Sequence, residues 1–209
     1  MAVATSGRVG GFPGTVARHL RYSLSVVAAN AANLLTLARL FCALPIVLLV
    51  RAGEYHQAAL IFIVAALSDA LDGYVAKKFN VVTPLGAVLD PIADKVLMDS
   101  LFLTLAFEGH LPDWIALLVI GRDLLIVGGT LLLRLFAGRF RVEPLFLGKA
   151  STFLQIALGG AVLAQLSILP ELAAFVPPLL YLTAALVIAS AVAYVHAAGR
   201  IWSLARVAR

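Results

Sequence analysis

Six apolar runs divide this chain, and each approaches the length a helix needs to cross the hydrocarbon of a bilayer. They fall at 34–50, 57–76, 87–107, 114–136, 152–169 and 178–198. A crossing takes roughly 20 residues at about 1.5 Å rise per residue. The chain therefore reads as an all-α, polytopic membrane protein with six transmembrane helices. Composition agrees: 62% of the 209 residues are hydrophobic and only 13% are charged, whereas a soluble domain has about 25% charged residues. No internal repeat is evident.

Residues 1–30 form a separate N-terminal unit, and 31–209 form the six-helix domain. The first 13 residues are Gly-rich without the apolar core of a cleavable signal, and are expected to be disordered. Over 14–30, Leu20, Leu24 and Val27 recur near helical spacing, with Arg18 and Arg21 on other faces. That pattern predicts an interfacial amphipathic helix; a solvated tail is the plainer alternative.

Lysines and arginines orient the spans. With both termini inside, the cytoplasmic segments hold Arg8, Arg18, Arg21, Lys77, Lys78, Arg134, Arg139, Arg141, Lys149, Arg200, Arg206 and Arg209. The outer loops hold only Arg51, beside Glu54, Glu108, Asp113 and Glu171. This implies a multi-pass protein of the cell or inner membrane. The same distribution argues against nucleic acid as the reason for the net charge of +5. Cys42, the single cysteine, sits in an apolar run and reads as a small buried hydrophobe.

One stretch breaks the apolar pattern. Across 68–95, SDALDGYVAKKFNVVTPLGAVLDPIADK, four carboxylates (Asp69, Asp72, Asp90 and Asp94) flank the connection between the second and third runs. An ionisable residue within a span is costly and marks function by default. At these spacings Asp69 shares a helix face with Asp72, and Asp90 with Asp94. Antiparallel packing of the two helices would bring both pairs to one point. Four carboxylates at low dielectric require countercharge. One or two hard divalent ions, Mg2+ or Mn2+, are the natural source because they take oxygen ligands. Such a centre suits a diphosphate. Gly73, Ala76 and Gly86 leave room for a ligand near the backbone, or simply pack helices. Lys77 either pairs with phosphate or snorkels to the interface. Pro91 is expected in the first turn of its helix, where a missing N–H costs little.

The pattern Asp69-x2-Asp72-Gly73-x2-Ala76-Lys77-x8-Gly86-x3-Asp90-x3-Asp94 resembles the signature of the CDP-alcohol phosphotransferase (phosphatidyltransferase) family of integral membrane enzymes. Every spacing fits. The one departure is Lys77, where the family usually has Arg. The likeness extends from about Asn33 to the C-terminus. It implies that Asp69, Asp72 and Asp90 hold divalent metal. Asp94 completes the carboxylate set and serves as general base on the acceptor hydroxyl. The nucleotide donor would contact Asp69, Gly73, Ala76 and Lys77, with Gly86 alongside. The implied reaction is attack of an alcohol on the diphosphate with release of CMP. Lysine at 77 lacks the planar fork of arginine, so its phosphate contact departs from the family pattern.

The later half, GRDLLIVGGTLLLRLFAGRFRVEPLFLGKASTFLQ, looks like the branch of CMP-forming cardiolipin synthases and phosphatidylglycerophosphate synthases. The Arg122-Asp123 pair followed by PLFLGKASTFLQ leans toward the former. The donor implied is CDP-diacylglycerol. The acceptor is phosphatidylglycerol, giving cardiolipin, or alternatively glycerol-3-phosphate. Arg39, Arg122 and Lys149 are the candidate acceptor-binding cations beside Asp94. Asn33, Thr36 and Arg39 recur every three residues and share a face. Lys95 and Asp99, four apart, are expected to form a structural ion pair. His19, His56, His110 and His196 read as surface or interfacial residues. Membrane lipids are the other expected partners, and a homodimer is compatible with this reading. A cation transporter is the distant alternative, because intrahelical carboxylates also mark ion pathways.

Overall fold

Two glycines close two of the helices. Gly53 (φ 79°) and Gly109 (φ 75°) occupy the left-handed region that a β-carbon disfavours. At the first, the Glu54 N–H donates to the Leu49 carbonyl at 2.9 Å and the Gly53 N–H to the Val50 carbonyl at 3.1 Å. At the second, His110 donates to Leu105 at 2.8 Å and Gly109 to Ala106 at 2.9 Å. Both are Schellman caps, in which otherwise unpaired helix-end carbonyls are satisfied.

The computed structural model of the protein describes residues 40–79, 86–137 and 146–207, with side chains at 40–68, 95–132 and 146–203. Among them are six α-helices: α1 (Leu40–Arg51), α2 (Tyr55–Phe79), α3 (Gly86–Phe107), α4 (Asp113–Ala137), α5 (Phe146–Ser167) and α6 (Val176–Val207). A 3-10 turn, Pro170–Ala174, joins the last two. The all-helical class is as expected. The terminal unit expected over 1–30 and its expected interfacial helix lie outside the described residues, as do Asn33, Thr36 and Arg39.

Several helices outrun their apolar segments. Helix α5 starts six residues before the expected 152, because polar residues at a helix end still make backbone bonds that hydropathy does not register. Lys149 therefore lies in the first turn of α5, not in the connection implied between the apolar runs 114–136 and 152–169. Lys77 and Lys78 likewise belong to the last turn of α2 and not to the connection. Pro91 is the sixth residue of α3, beyond the four N–H groups that lack intrahelical partners in any helix. At 32 residues α6 is about 48 Å long, well over the ~30 Å hydrocarbon thickness.

Helix α5 packs against α2, α3 and α6; α4 packs against α3 and α6. Ile46, Phe62, Leu101, Phe102, Ile115, Leu158 and Val187 belong to one buried cluster drawn from all six of these helices. Gly159 lets α5 approach closely: a β-carbon there would stand 2.9 Å from Leu101 Cδ2 and 3.6 Å from Phe62 Cζ. Small residues at such crossings are how helices associate without a hydrophobic driving force between them.

The outside of the bundle is apolar. Leu44, Val64, Leu117, Leu124, Phe153 and Val192 are all more than half exposed. An apolar surface of this extent marks a membrane or protein contact. Three stretches among the described residues are long and apolar enough to cross a membrane: Asp113–Leu132, Phe146–Ser167 and Val176–Ser203. Leu40–Arg51 and Tyr55–Ser68 are shorter apolar helices. Cys42 is partly buried against the core.

Candidate active site

The four aspartates divide between two helices. Asp69 and Asp72, with Gly73, Ala76 and Lys77, fall on the later part of α2, and Gly86, Asp90 and Asp94 on the first half of α3. Their side chains lie outside those described. The start of α2 meets the turn that follows α3: the Tyr55 hydroxyl and His110 Nε2 are 2.8 Å apart, and their rings meet edge to face. Arg51 and Glu108 add an exposed ion pair at 3.7 Å. His110 is thus engaged at the bundle end, while His56 is exposed.

Phe62 on α2 and Leu101 on α3 both face Gly159, so they stand at one height in the bundle. From that level Asp69 and Asp72 are seven and ten residues along α2, and Asp94 and Asp90 seven and eleven back along α3. At 1.5 Å per residue both sets lie roughly 10–16 Å from the Gly159 level. The two helices run in opposite senses there, so the four positions are level at the same end.

Beside this end lies a buried ionic hub. Lys95, which directly follows Asp94, places Nζ 2.6 Å from Asp123 Oδ1 on α4. Arg122 donates from Nη1 to the same oxygen at 2.5 Å. Its Nη2 reaches the Gly148 carbonyl at 3.3 Å on α5 and Ser190 Oγ at 3.2 Å on α6. Arg122 and Asp123 are buried (7% and 4% exposed), where an unpaired charge would be costly. Among the described residues Arg122 Nε is buried without a hydrogen-bond partner.

The hub revises the local pairing expected from sequence. Lys95 is paired across helices with Asp123, where sequence spacing pointed to Asp99 one turn along. The reason is geometric: the ammonium reaches a carboxylate on the neighbouring helix that already holds a guanidinium. Of the acceptor cations, Arg122 is inside the hub, Lys149 is exposed one residue past the Gly148 carbonyl, and Arg39 lies outside the described residues. The sequence reading gave no role to Ser190, Ser151 or Gln155. Ser151 and Gln155 are buried on α5, with Gln155 Nε2 donating to Ser151 Oγ at 3.2 Å. Their buried polarity within an apolar helix was the available signal.

Apolar helices surrounding a buried ion cluster define an integral membrane protein with a polar interior at one end. A family model places it more narrowly: residues 29–202 match the CDP-alcohol phosphatidyltransferase family, and the chain belongs to that family. It is thus a transferase, which sets aside the cation-transporter alternative.

Relatives sharpen the neighbourhood. A Schizosaccharomyces pombe protein named cardiolipin synthase (CMP-forming) / mitochondrial hydrolase fusion protein is 36% identical over 179 residues, covering 78% of this chain and 30% of that protein. A Mycobacterium tuberculosis protein named probable phosphatidylglycerophosphate synthase is 37% identical over 166 residues, covering 69% of this chain and 77% of the relative. A Rickettsia bellii protein named CDP-diacylglycerol–glycerol-3-phosphate 3-phosphatidyltransferase is 37% identical over 133 residues, 61% of this chain and 71% of its own.

Proposed function

We propose that the protein moves the phosphatidyl group of CDP-diacylglycerol onto a phosphoglycerol-type alcohol and releases CMP, with phosphatidylglycerol as acceptor and cardiolipin as product. The observation carrying this reading is the set of four aspartate positions, level at one end of antiparallel α2 and α3, in a chain of the CDP-alcohol phosphatidyltransferase family. The relative named as a cardiolipin synthase aligns over the largest share of this chain among the three described, which favours phosphatidylglycerol. A second reading, glycerol-3-phosphate as acceptor, is favoured by the M. tuberculosis and R. bellii relatives, of which this chain covers more.

Asp69, Asp72 and Asp90, with Asp94 completing the set, would supply an all-oxygen donor group that suits a pair of Mg2+ or Mn2+ ions. Bound there, the ions would neutralise the diphosphate and the departing CMP. Gly73, Ala76 and Gly86 leave the nucleotide room against the backbone, and Lys77 offers a point charge to phosphate. Asp94 takes the proton of the acceptor hydroxyl as its oxygen bonds to the phosphatidyl phosphorus. The bond from that phosphorus to the bridging oxygen breaks, and the electron pair leaves with CMP. Arg39, Arg122 and Lys149 supply positive charge for the acceptor phosphate.

The helices are read as six spans with both termini in the cytoplasm and the aspartates opening to that side, consistent with the Lys/Arg asymmetry. The test supplies purified protein with CDP-diacylglycerol, a divalent metal and each acceptor separately, then identifies the lipid by mass. Cardiolipin from phosphatidylglycerol is expected. Phosphatidylglycerophosphate from glycerol-3-phosphate establishes the second reading, and product only from inositol phosphate or serine defeats both.

A further inference from the structure

We infer that Asp123 is a positioning residue: through Lys95, its carboxylate locks the aspartate-bearing half of α3 to α4. The inference rests on the reading that Asp90 and Asp94 serve the transfer reaction. Lys95 directly follows Asp94, and its ammonium stands 2.6 Å from Asp123 Oδ1. That same oxygen accepts from Arg122, which in turn holds α5 through the Gly148 carbonyl and α6 through Ser190. One carboxylate therefore ties the height of the α3 aspartates to three other helices.

Of the other buried residues described on α3 and α4, Leu97, Leu101, Ala116 and Val119 are apolar, and Thr104 donates its hydroxyl to the Ser100 carbonyl of its own helix at 2.7 Å. Apolar contacts are non-directional and tolerate small axial displacements. A charge-assisted pair is directional and short. The Asp123 side chain is 5% exposed and that of Lys95 is 21%, so salt screens the pair little. Within the triad two cations share one carboxylate, and deleting it leaves like charges facing each other inside the bundle. A slip of one residue moves Asp90 and Asp94 by about 1.5 Å. A misplacement of about 1 Å can cost roughly 100-fold in rate.

The position of α3 is read directly, without activity. In a Cys42→Ala background, spin labels at Ala87→Cys on α3 and Leu131→Cys on α4 report their separation. A single narrow distance distribution is expected for the parent. Asp123→Asn and Lys95→Met should broaden or shift it, and Asp123→Glu should restore it. Lys95→Met keeps the Arg122–Asp123 pair balanced, so it tests the lock if Asp123→Asn fails to fold. An unchanged distribution in Lys95→Met overturns the inference whatever the activity.

Kinetics add a readout that general destabilisation would not produce. Per folded molecule, kcat in Asp123→Asn and Lys95→Met should fall about 100-fold, with both KM values moving about twofold or less. The double variant should be no worse than the poorer single, as for one shared interaction. Raised KM with kcat retained, or multiplying losses, would overturn positioning. Should the parent release no CMP while the labels still respond to Lys95→Met, the lock stands and the proposed reaction fails.

Discussion

Adjacent glycines on α5 should respond in opposite directions to the same substitution. At Gly159 a β-carbon would lie 2.9 Å from Leu101 Cδ2, with Phe62 Cζ at 3.6 Å and Phe102 Cε2 at 3.8 Å. At Gly160 it would meet only Phe62 Cε1, at an ordinary 3.6 Å. Both changes to Ala gain about 0.8–1 kcal/mol of helix propensity. Gly160→Ala should keep that gain. Gly159→Ala must displace Leu101, which is fully buried with Phe102 beside it. Overpacking of a close-packed core costs about 1–3 kcal/mol. The two variants should therefore differ by about 1–3 kcal/mol, with Gly159→Ala the less stable. Equilibrium unfolding in mixed detergent micelles measures the difference. Leu101→Ala alone should cost about 2–5 kcal/mol through its cavity. Combined with Gly159→Ala it should cost less than the sum, because each change relieves the other. Equal stability of the two alanine variants, or strict additivity with Leu101→Ala, would refute the close approach of α5 to α3.

The remaining predictions concern the chemistry and the membrane. Asp69→Asn, Asp72→Asn and Asp90→Asn should each weaken metal dependence and nearly abolish turnover, measured as CMP release over a metal titration; activity unaffected by a strong chelator counts against the metal site. Asp94→Asn should lose turnover while donor and metal still bind, and wild-type rates across neutral pH would remove it as the base. Arg122→Lys keeps the charge but not the planar fork; acceptor KM should rise more than donor KM, and a rise confined to the donor would place Arg122 on the nucleotide side. A reporter fused after Arg209 should be active in the cytoplasm, and activity only outside would invert the topology.

Local sequence determined the helices themselves. Apolar lengths marked α2, α3 and α4 to within three residues at each end, because a run that fills the hydrocarbon has few alternatives to a helix. Carboxylates three and four apart placed Asp69, Asp72, Asp90 and Asp94 on those helices, since helical period is a property of adjacent residues. Hydropathy could not see where α5 begins or where α6 ends, because terminal polar residues remain hydrogen-bonded within the helix. The partners across helices were decided only by tertiary structure. Lys95 meets Asp123 and not the carboxylate one turn away, and Arg122 meets Ser190 some 68 residues later. Such pairs depend on which helices become neighbours and at what height. A glycine such as Gly159 sets that approach through a side chain that is missing, which no periodicity in the sequence records.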